Sequence, residues 1–181
     1  MCSKHVERGF SLIELLVFIV IVGIAAAAVL TVMGSLTRQS ARQFPQKQAQ
    51  ILASGMLDEI LAQPYTFCDP DVPNASSAPG ALACLGPNEN NLAPESETRG
   101  GSAPFDNVND YNGYGPVPVS FPDGSAVTTL PGYTVQVQVQ GAGPIAGVPG
   151  SDTLRVTVSV NSPAGVLVRQ EGVSIRYAPN T

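Results

Sequence analysis

The amino-acid sequence predicts an α+β fold, with one long N-terminal helix packed on a C-terminal antiparallel β-sheet of three to four strands. Two observations support this class. An apolar run over residues 15–30 contains no polar side chain, and it leads into a stripe of apolar residues with helical spacing. Apolar and polar residues then alternate through much of residues 132–181. The order helix, loop, sheet indicates an α+β protein.

The apolar run is long enough to cross a membrane as a helix. Together with residues 10–13 it gives a span of roughly 20 residues, which matches the hydrocarbon thickness of a bilayer. Glu14 lies inside this span, and no lysine or arginine is near it within the apolar stretch. A carboxylate placed there costs about 2.5 to 3.5 kcal/mol on insertion scales. Glu14 therefore needs a partner from elsewhere.

A short basic segment precedes the span and ends in Gly-Phe-Ser-Leu-Ile-Glu over residues 9–14. This run resembles the prepilin leader of type IV pilins and type II secretion pseudopilins. The resemblance implies a leader over residues 1–9, cleavage between Gly9 and Phe10, and N-methylation of the new Phe10 amine. It also implies that Glu14 pairs with the N-terminal amine of a neighbouring subunit in a filament.

The same resemblance implies the partners and the location of the chain. The partners are a prepilin peptidase and N-methyltransferase, other pilin subunits, an inner-membrane assembly platform and the lipid of that membrane. The chain would cross the bacterial inner membrane once, with a cytoplasmic N-terminus and a periplasmic head, before assembly into the filament. Charge alone does not settle this orientation, because basic residues flank the span on both sides: Lys4, Arg8, Arg38, Arg42 and Lys47.

An ordinary secretory signal or a plain anchor helix is the alternative interpretation. The alanine run over residues 25–28 could offer a signal-peptidase site. An ordinary signal has a shorter apolar core and no acid within it. Glu14 and the preceding glycine therefore favour the prepilin interpretation.

The helical pattern continues beyond the membrane. We expect a membrane-spanning or filament-core helix over residues 10–33 and an amphipathic continuation over residues 34–63. Its apolar stripe should pack on the sheet, and it consists of Leu52, Met56 and Ile60 with Ala49, Ala53 and Leu57 nearby. Pro45 predicts a kink or a short break, and Pro64 predicts that the helix ends at Gln63.

Residues 64–131 form a connecting segment rich in proline, glycine and asparagine. A loop of this length is usually functional or partly disordered. Cys68 and Cys84 lie in it, and an oxidising periplasm favours a disulfide between them, which would stabilise the head by roughly 3 kcal/mol. A metal pair or a redox pair fits less well, because the spacing is not that of a C-x-x-C motif and no histidine is available.

The last segment of the chain predicts strands with one apolar face. The predicted inward residues in the first two strands are Tyr133, Val135, Val137, Val139, Leu154, Val156, Val158 and Val160. A further strand is predicted from Val166, Val168, Val173, Ile175 and Tyr177. In addition, Val117, Val119 and Phe121 predict a short edge strand within the connecting segment, where prolines are tolerated.

Composition argues against several functions. The net charge is −5, and beyond residue 48 four arginines face twelve acidic residues, which disfavours nucleic-acid binding. The one histidine is His5, in the predicted leader, so histidine-based catalysis and histidine-ligated metal sites are not expected in the head. We therefore predict a protein that is not an enzyme and that has no cofactor.

One polar segment, residues 106–115, leaves an alternative open. Its oxygen-rich side chains around glycine suit calcium, although Val108 stands where an EF-hand loop needs an oxygen ligand. The favoured interpretation is a loop in which asparagine and aspartate side chains cap their own backbone.

Three functions follow from the resemblance. The first is a minor pilin of a type IV pilus, most like the mannose-sensitive haemagglutinin type. The second is a minor pseudopilin of a type II secretion system. The third is a tip-located adhesive or ligand-binding head, which exposed tyrosines at Tyr65, Tyr111 and Tyr114 would favour over tyrosines that anchor the loop.

Overall fold

The computed structural model describes residues 11–89, 91–93 and 96–176, with the side chains of residues 35–42 left out. Its elements follow the predicted order of helix, loop and sheet. The chain divides into two compact units, Met1–Gln43 and Phe44–Thr181. The α+β prediction is confirmed.

Helix α1 spans Leu12–Leu61 and contains Pro45 without an interruption. The short break that we considered at this proline is therefore wrong, whereas the alternative of a kink stays a prediction. The helix closes two residues before the predicted end. The N–H of Ala62 donates to the Asp58 carbonyl at 3.0 Å, and the N–H of Gln63 donates to the Ile60 carbonyl at 3.1 Å. Pro64 then prevents continuation.

The sheet has four antiparallel strands in the order β1-β2-β3-β4. Strand β1 is short, Val117–Pro118, and it pairs with β2, Thr134–Gly141. Strands β3, Thr153–Asn161, and β4, Leu167–Ile175, complete a meander. The predicted edge strand is thus present, although it does not reach Phe121.

The core of the second unit lies between the sheet and the last turns of α1. The predicted apolar stripe is buried except for Leu52, which is partly buried, and Ala49, Ala53 and Ile60 have no exposed surface. All eight predicted inward residues of the first two long strands are buried as well. Ile60 and the valine face belong to one apolar cluster. The sheet therefore covers the helix stripe as the periodicity predicts.

Strand β4 differs from the prediction. Val168 is on the inner face, but Val173 and Ile175 are 43% and 49% exposed. The register between β3 and β4 runs without a bulge, so residues an odd number of positions apart must face opposite sides. Gly172 and Ser174 consequently take the inner face. Tyr177 lies outside the described residues.

Glycine leaves room on that inner face, where two leucine side chains of the helix approach closely. A Cβ added at Gly172 would lie 2.7 Å from Cδ1 of Leu61 and 3.2 Å from Cδ1 of Leu57. Both leucines belong to the end of α1. Any larger residue at position 172 would require these leucine side chains to shift.

The connecting segment is not structureless. It holds two short 3-10 helices, Ala81–Ala83 and Val108–Tyr111. Cys68 and Cys84 are joined by a disulfide with an S–S distance of 2.03 Å. The segment then lies directly against β2, where a Cβ at Gly115 would come within 2.2 Å of the Val135 carbonyl oxygen. The segment around Gly115 therefore packs closely on the sheet.

Candidate functional site

The first candidate site is the N-terminal part of α1. Residues Leu12–Gly34 form one candidate membrane-spanning helix with a mean hydropathy of 3.0, and none of it is buried within the described chain. Large apolar side chains project on every side of it, with Leu12, Ile19 and Leu30 between 61% and 81% exposed. A helix that is apolar all round requires lipid or other protein around it.

Glu14 is the single acidic residue in the first turn of this helix. The position suits a carboxylate, because the N-terminal end of a helix carries a partial positive charge. The side chain is exposed, and within the described residues neither ion pair involves it. Gly9 and Phe10, the predicted cleavage and methylation residues, lie outside the described residues and stay predictions.

A second group of polar residues lies in the head around Glu59. Arg99 donates from Nε to Glu59 Oε1 at 2.8 Å and from Nη2 to Oε2 at 2.7 Å, which is a bidentate ion pair. Tyr111 donates its hydroxyl to the same carboxylate at 3.1 Å. The Arg99 side chain is only 4% exposed. This pair ties the connecting segment to the helix.

Electrostatics reinforce the pair. Burial alone would lower the pKa of Arg99, but the hydrogen bonds and the charge of Glu59 outweigh it and raise the pKa above its ordinary value. Burial, followed by the nearby Glu59 charge, raises the pKa of Tyr111. Both groups therefore keep their protons at physiological pH, and the arrangement is that of a structural anchor.

A third group consists of three carboxyl groups, those of Glu97, Asp106 and Asp110. One oxygen from each lies within 4.8 Å of the other two. Burial and then the charges of Asp110 and Asp106 raise the pKa of Glu97 to about 8. Burial and then the charge of Asp69 raise the pKa of Asp106 to about 6. Burial also raises the pKa of Asp110, against the opposing effect of backbone hydrogen bonds.

The polar segment only partly follows the favoured interpretation. Asp110 does cap its own backbone, because its Oδ2 accepts the N–H groups of Asn107 at 2.7 Å and Asp106 at 3.2 Å. Asparagine side chains instead reach distant partners. Asn112 accepts the N–H of Val139 at 2.9 Å, and Asn109 donates to Glu89 at 2.6 Å. The segment is thus built into the head.

The tyrosines proposed for an adhesive surface are mostly buried. Tyr65 is 6% exposed and Tyr111 is 2% exposed, while Tyr114 is half-buried. Phe105 packs edge-on against Tyr111 with ring centroids 4.9 Å apart. The interpretation that these tyrosines anchor the loop is confirmed for Tyr65 and Tyr111. Because these two side chains are buried, they do not provide the exposed aromatic surface that would favour an adhesive head.

Sequence reasoning missed Glu59, Arg99 and Glu97 as members of these groups. It singled out Asp106 and Asp110 through their dense polar segment, but Glu97 lies outside that segment. No local spacing links these residues, because each contact joins segments that are far apart in the chain.

Comparison with known proteins gives one match. The family described as the prokaryotic N-terminal methylation motif matches residues 4–30. This match covers residues 4–9 of the predicted leader, the predicted cleavage position and most of the apolar helix. No curated protein and no solved structure matches the chain.

The motif, the exposed apolar helix and the α+β head together support a type IV pilin or pseudopilin. The motif implies processing by a prepilin peptidase and assembly with other pilins, and it points to a structural subunit rather than an enzyme. The apolar helix is consistent with anchoring in a membrane.

Proposed function

We propose that this protein is a minor type IV pilin, anchored in the inner membrane by α1, cleaved after Gly9 and methylated on Phe10. It then co-assembles into a pilus filament or initiates one. The observation that carries the proposal is an unburied apolar helix with Glu14 in its first turn, inside the match to the methylation motif.

The physical argument begins with apolar surface. The 23 residues of Leu12–Gly34 have no cover within the described chain. At 1.5 Å per residue such a helix is about 34 Å long, enough for a hydrocarbon core of about 30 Å. Lipid covers this surface before assembly, and the helices of other subunits cover it afterwards. The same apolar residues thus serve both states.

Glu14 distinguishes the two states. In lipid a carboxylate within an apolar span is costly. In a filament, the amine at the N-terminus of a neighbouring Phe10 supplies an opposite charge, and a close charge pair is strong where water is excluded. The charge pair forms in only one register of neighbouring helices and therefore stabilises that register. Glu14 is therefore proposed as the contact that recruits and positions the next subunit.

A minor subunit is proposed because the head is elaborate. Its connecting segment carries a disulfide, a buried ion pair and a packed polar turn between helix and sheet. A subunit that is only repeated along a filament does not need so elaborate a head. A minor pseudopilin of a type II secretion system shares the same assembly mechanism and is the alternative. The finer likeness to the haemagglutinin pilus has no support beyond the sequence and is not part of the proposal.

The test replaces Glu14 by alanine in the full-length protein, which is expressed in the bacterium that naturally produces it. Membrane insertion should be unchanged, because the apolar span is intact, while the amount recovered in sheared filaments should fall at least tenfold. Glu14→Gln should behave like alanine if charge is what matters. Glu171→Ala, at an exposed glutamate of β4, is the matched control and should assemble normally.

Normal recovery of Glu14→Ala in filaments would overturn the assembly role. Intact-mass measurement on the membrane-assembled wild-type protein tests processing, and retention of residues 1–9 would contradict the predicted leader. Identification of the co-purifying subunits separates a pilus from a secretion system, because each has its own set of partner pilins.

A further inference from the structure

Strand β4 forms an open edge of the sheet, since the strand order is β1-β2-β3-β4. Among the described residues, its backbone ladder is with β3 alone. Half of the N–H and C=O groups of an edge strand point away from its neighbour, and such a row is a template for a further strand. β4 spans Leu167–Ile175, contains no proline and pairs with β3 without a bulge. It is therefore a long and regular edge.

The opposite edge of the sheet is protected. Strand β1 consists of Val117–Pro118 and is only two residues long. A short edge strand and a proline are two devices by which proteins prevent unwanted strand pairing. β4 has neither device. It does carry charged side chains, which are a third such device, at Arg169 and Glu171, and both are exposed.

These two charges are arranged to favour pairing of β4 with a second β4. Charges oppose self-pairing when like charges come to lie directly opposite each other. β4 instead has one charge of each sign, two positions apart on the same face. Neither charge belongs to the two ion pairs found among the described residues. In an antiparallel pairing centred on Gln170, Arg169 lies opposite Glu171 of the partner subunit, and the reverse contact forms as well.

One register alone makes both charge contacts attractive. Residues directly opposite each other in an antiparallel pair lie on the same face, so a symmetric pairing must be centred on a residue and not between two residues. A pairing centred on Arg169 or on Glu171 places two like charges opposite each other. The pairing centred on Gln170 also places Leu167 opposite Val173 of the partner subunit. These apolar side chains are 56% and 43% exposed.

We propose that β4 binds the β4 strand of a second copy of this chain, antiparallel and centred on Gln170. The four-stranded sheets of two heads then join edge to edge into one sheet. Backbone hydrogen bonds form along residues 167–173, and the two charge pairs fix the register. The contacts between Leu167 and Val173 remove apolar surface from water. Charge complementarity of the strand with itself thus identifies the partner.

This contact is different from the proposed assembly contact of Glu14. A two-fold axis perpendicular to the sheet relates the two copies, so the faces that carry the helix stay on the same side. The same axis reverses the direction of the last turns of α1, which pack on that face. Pairing of Glu14 with a neighbouring N-terminal amine instead brings together helices that run in the same direction. The head contact therefore goes beyond the proposed function.

The association should be weak. A standard stable interface involves about 20 to 30 residues a side, whereas the edge contact uses the short stretch of residues 167–173. We therefore expect a dimer at high protein concentration and a monomeric head in dilute solution. Because the charge pairs are exposed to solvent, salt should weaken the dimer.

The experiment follows self-association of the full-length protein in a density-matched detergent by sedimentation equilibrium. We expect a monomer–dimer equilibrium over a concentration series, with a weaker dimer at high salt. Glu14→Ala should dimerise as the wild type does, since Glu14 lies outside the head. The head contact and the proposed filament function can thus fail separately.

Charge reversal tests the register. Glu171→Arg should weaken the dimer by on the order of tenfold or more, because both cross-strand charge pairs become repulsive. Arg169→Glu should do the same. A mixture of these two variants should dimerise again, since each then provides the charge that the other needs. Arg155→Glu, at an exposed arginine of β3, is the matched control and should dimerise normally. Circular dichroism of each variant checks that the head is folded.

A cysteine cross-link tests the centre of the pairing. Two copies of residue 170 lie directly opposite each other, with Cα atoms about 4.5 to 5.5 Å apart, which is within the reach of a disulfide. Gln170→Cys, in a Cys2→Ser background, should therefore give a covalent dimer on mild oxidation. Gln138→Cys, at an exposed residue of β2, should not.

Four outcomes would overturn the proposal. The first is no concentration-dependent dimer of the wild-type protein. The second is an unchanged dimer in Glu171→Arg, which would place the contact elsewhere. The third is a mixture of Glu171→Arg and Arg169→Glu that fails to dimerise. The fourth is a cross-link in Gln138→Cys as efficient as that in Gln170→Cys.

Discussion

Two stretches of helix α1 are both rich in apolar residues, yet they bury them in different ways. Ile19, in the first stretch, is 61% exposed, whereas Ile60, in the second, has no exposed surface. The second stretch, residues 49–61, carries most of its apolar residues on one face, and the sheet covers that face, although Ile51 is 71% exposed. The first carries them all round, and no described residue covers it. The apolar content of a helix shows that its surface must be covered. The periodicity shows how much of that surface the rest of the same chain can cover.

The same contrast holds for two glutamates of this helix. Glu59 has its partner in its own chain, since Arg99 binds both carboxylate oxygens and Tyr111 binds one of them. Glu14 forms no ion pair with a described residue. Glu59 joins the helix to the connecting segment within the head, whereas Glu14 is proposed to join one subunit to the next. A carboxylate on this helix can thus make a contact within its own chain, as Glu59 does, or, in our proposal, a contact with another subunit, as Glu14 does.

The largest effect is expected from breaking the contact inside the head. Arg99→Met should lower the free energy of unfolding by about 3 to 5 kcal/mol, because it leaves the Glu59 carboxylate largely buried without its cation. Chemical denaturation followed by circular dichroism measures this change. Arg155→Met, at an exposed arginine of β3, is the control and should change stability by less than about 0.5 kcal/mol. Equal effects of the two substitutions would show that the buried ion pair contributes nothing special.

A matched pair of isoleucines tests the difference in cover. Ile60→Ala should cost about 2 to 5 kcal/mol of head stability, because it opens a cavity in a packed core. Ile19→Ala should leave the unfolding of the head unchanged, since Ile19 contacts lipid or other subunits in our proposal. Denaturation of the full-length protein in one detergent gives both values. A loss of head stability in Ile19→Ala would mean that the first stretch is covered by its own chain.

The smallest effects should come from the outer face of β4. Val173→Thr and Ile175→Thr should each change the free energy of unfolding by less than about 0.5 kcal/mol, because both side chains are exposed. Val158→Thr should cost about 1 to 3 kcal/mol, since it buries a hydroxyl on the inner face. Thermal unfolding of the three variants ranks them. Comparable losses at all three positions would place Val173 and Ile175 in the core after all.

Prediction from sequence succeeded where the signal was periodic and local. Helical spacing identified Met56 and Ile60 as core residues, and alternation identified the inner faces of β2 and β3. It failed on β4, where Val168 and Val173 are an odd number of residues apart. Both cannot face one side of a strand without a bulge, and the regular pairing with β3 contains none. The apolar pattern alone cannot reveal whether Val168, or instead Val173 and Ile175, faces the core.

The candidate sites divide in the same way. Glu14 could be found from sequence, because an acid within an apolar span is conspicuous without any knowledge of the fold. The Asp106 to Gly115 segment could also be found, through its density of polar groups. Glu97 could not, because it meets Asp110 only after the connecting segment has folded. The disulfide between Cys68 and Cys84 could be anticipated from compartment and cysteine count, while its geometry required the structure.

By itself, the sequence determined that the chain has a helix fit for a membrane, an acid within it, a methylation motif over residues 4–30 and an alternating sheet. These properties reside in composition and short-range spacing. The tertiary structure alone decided that Glu59 is bound by Arg99, that Gly172 admits the helix onto β4, and that three carboxylates converge at Asp110. Those properties depend on residues distant in the chain, and only packing and strand register bring such residues together.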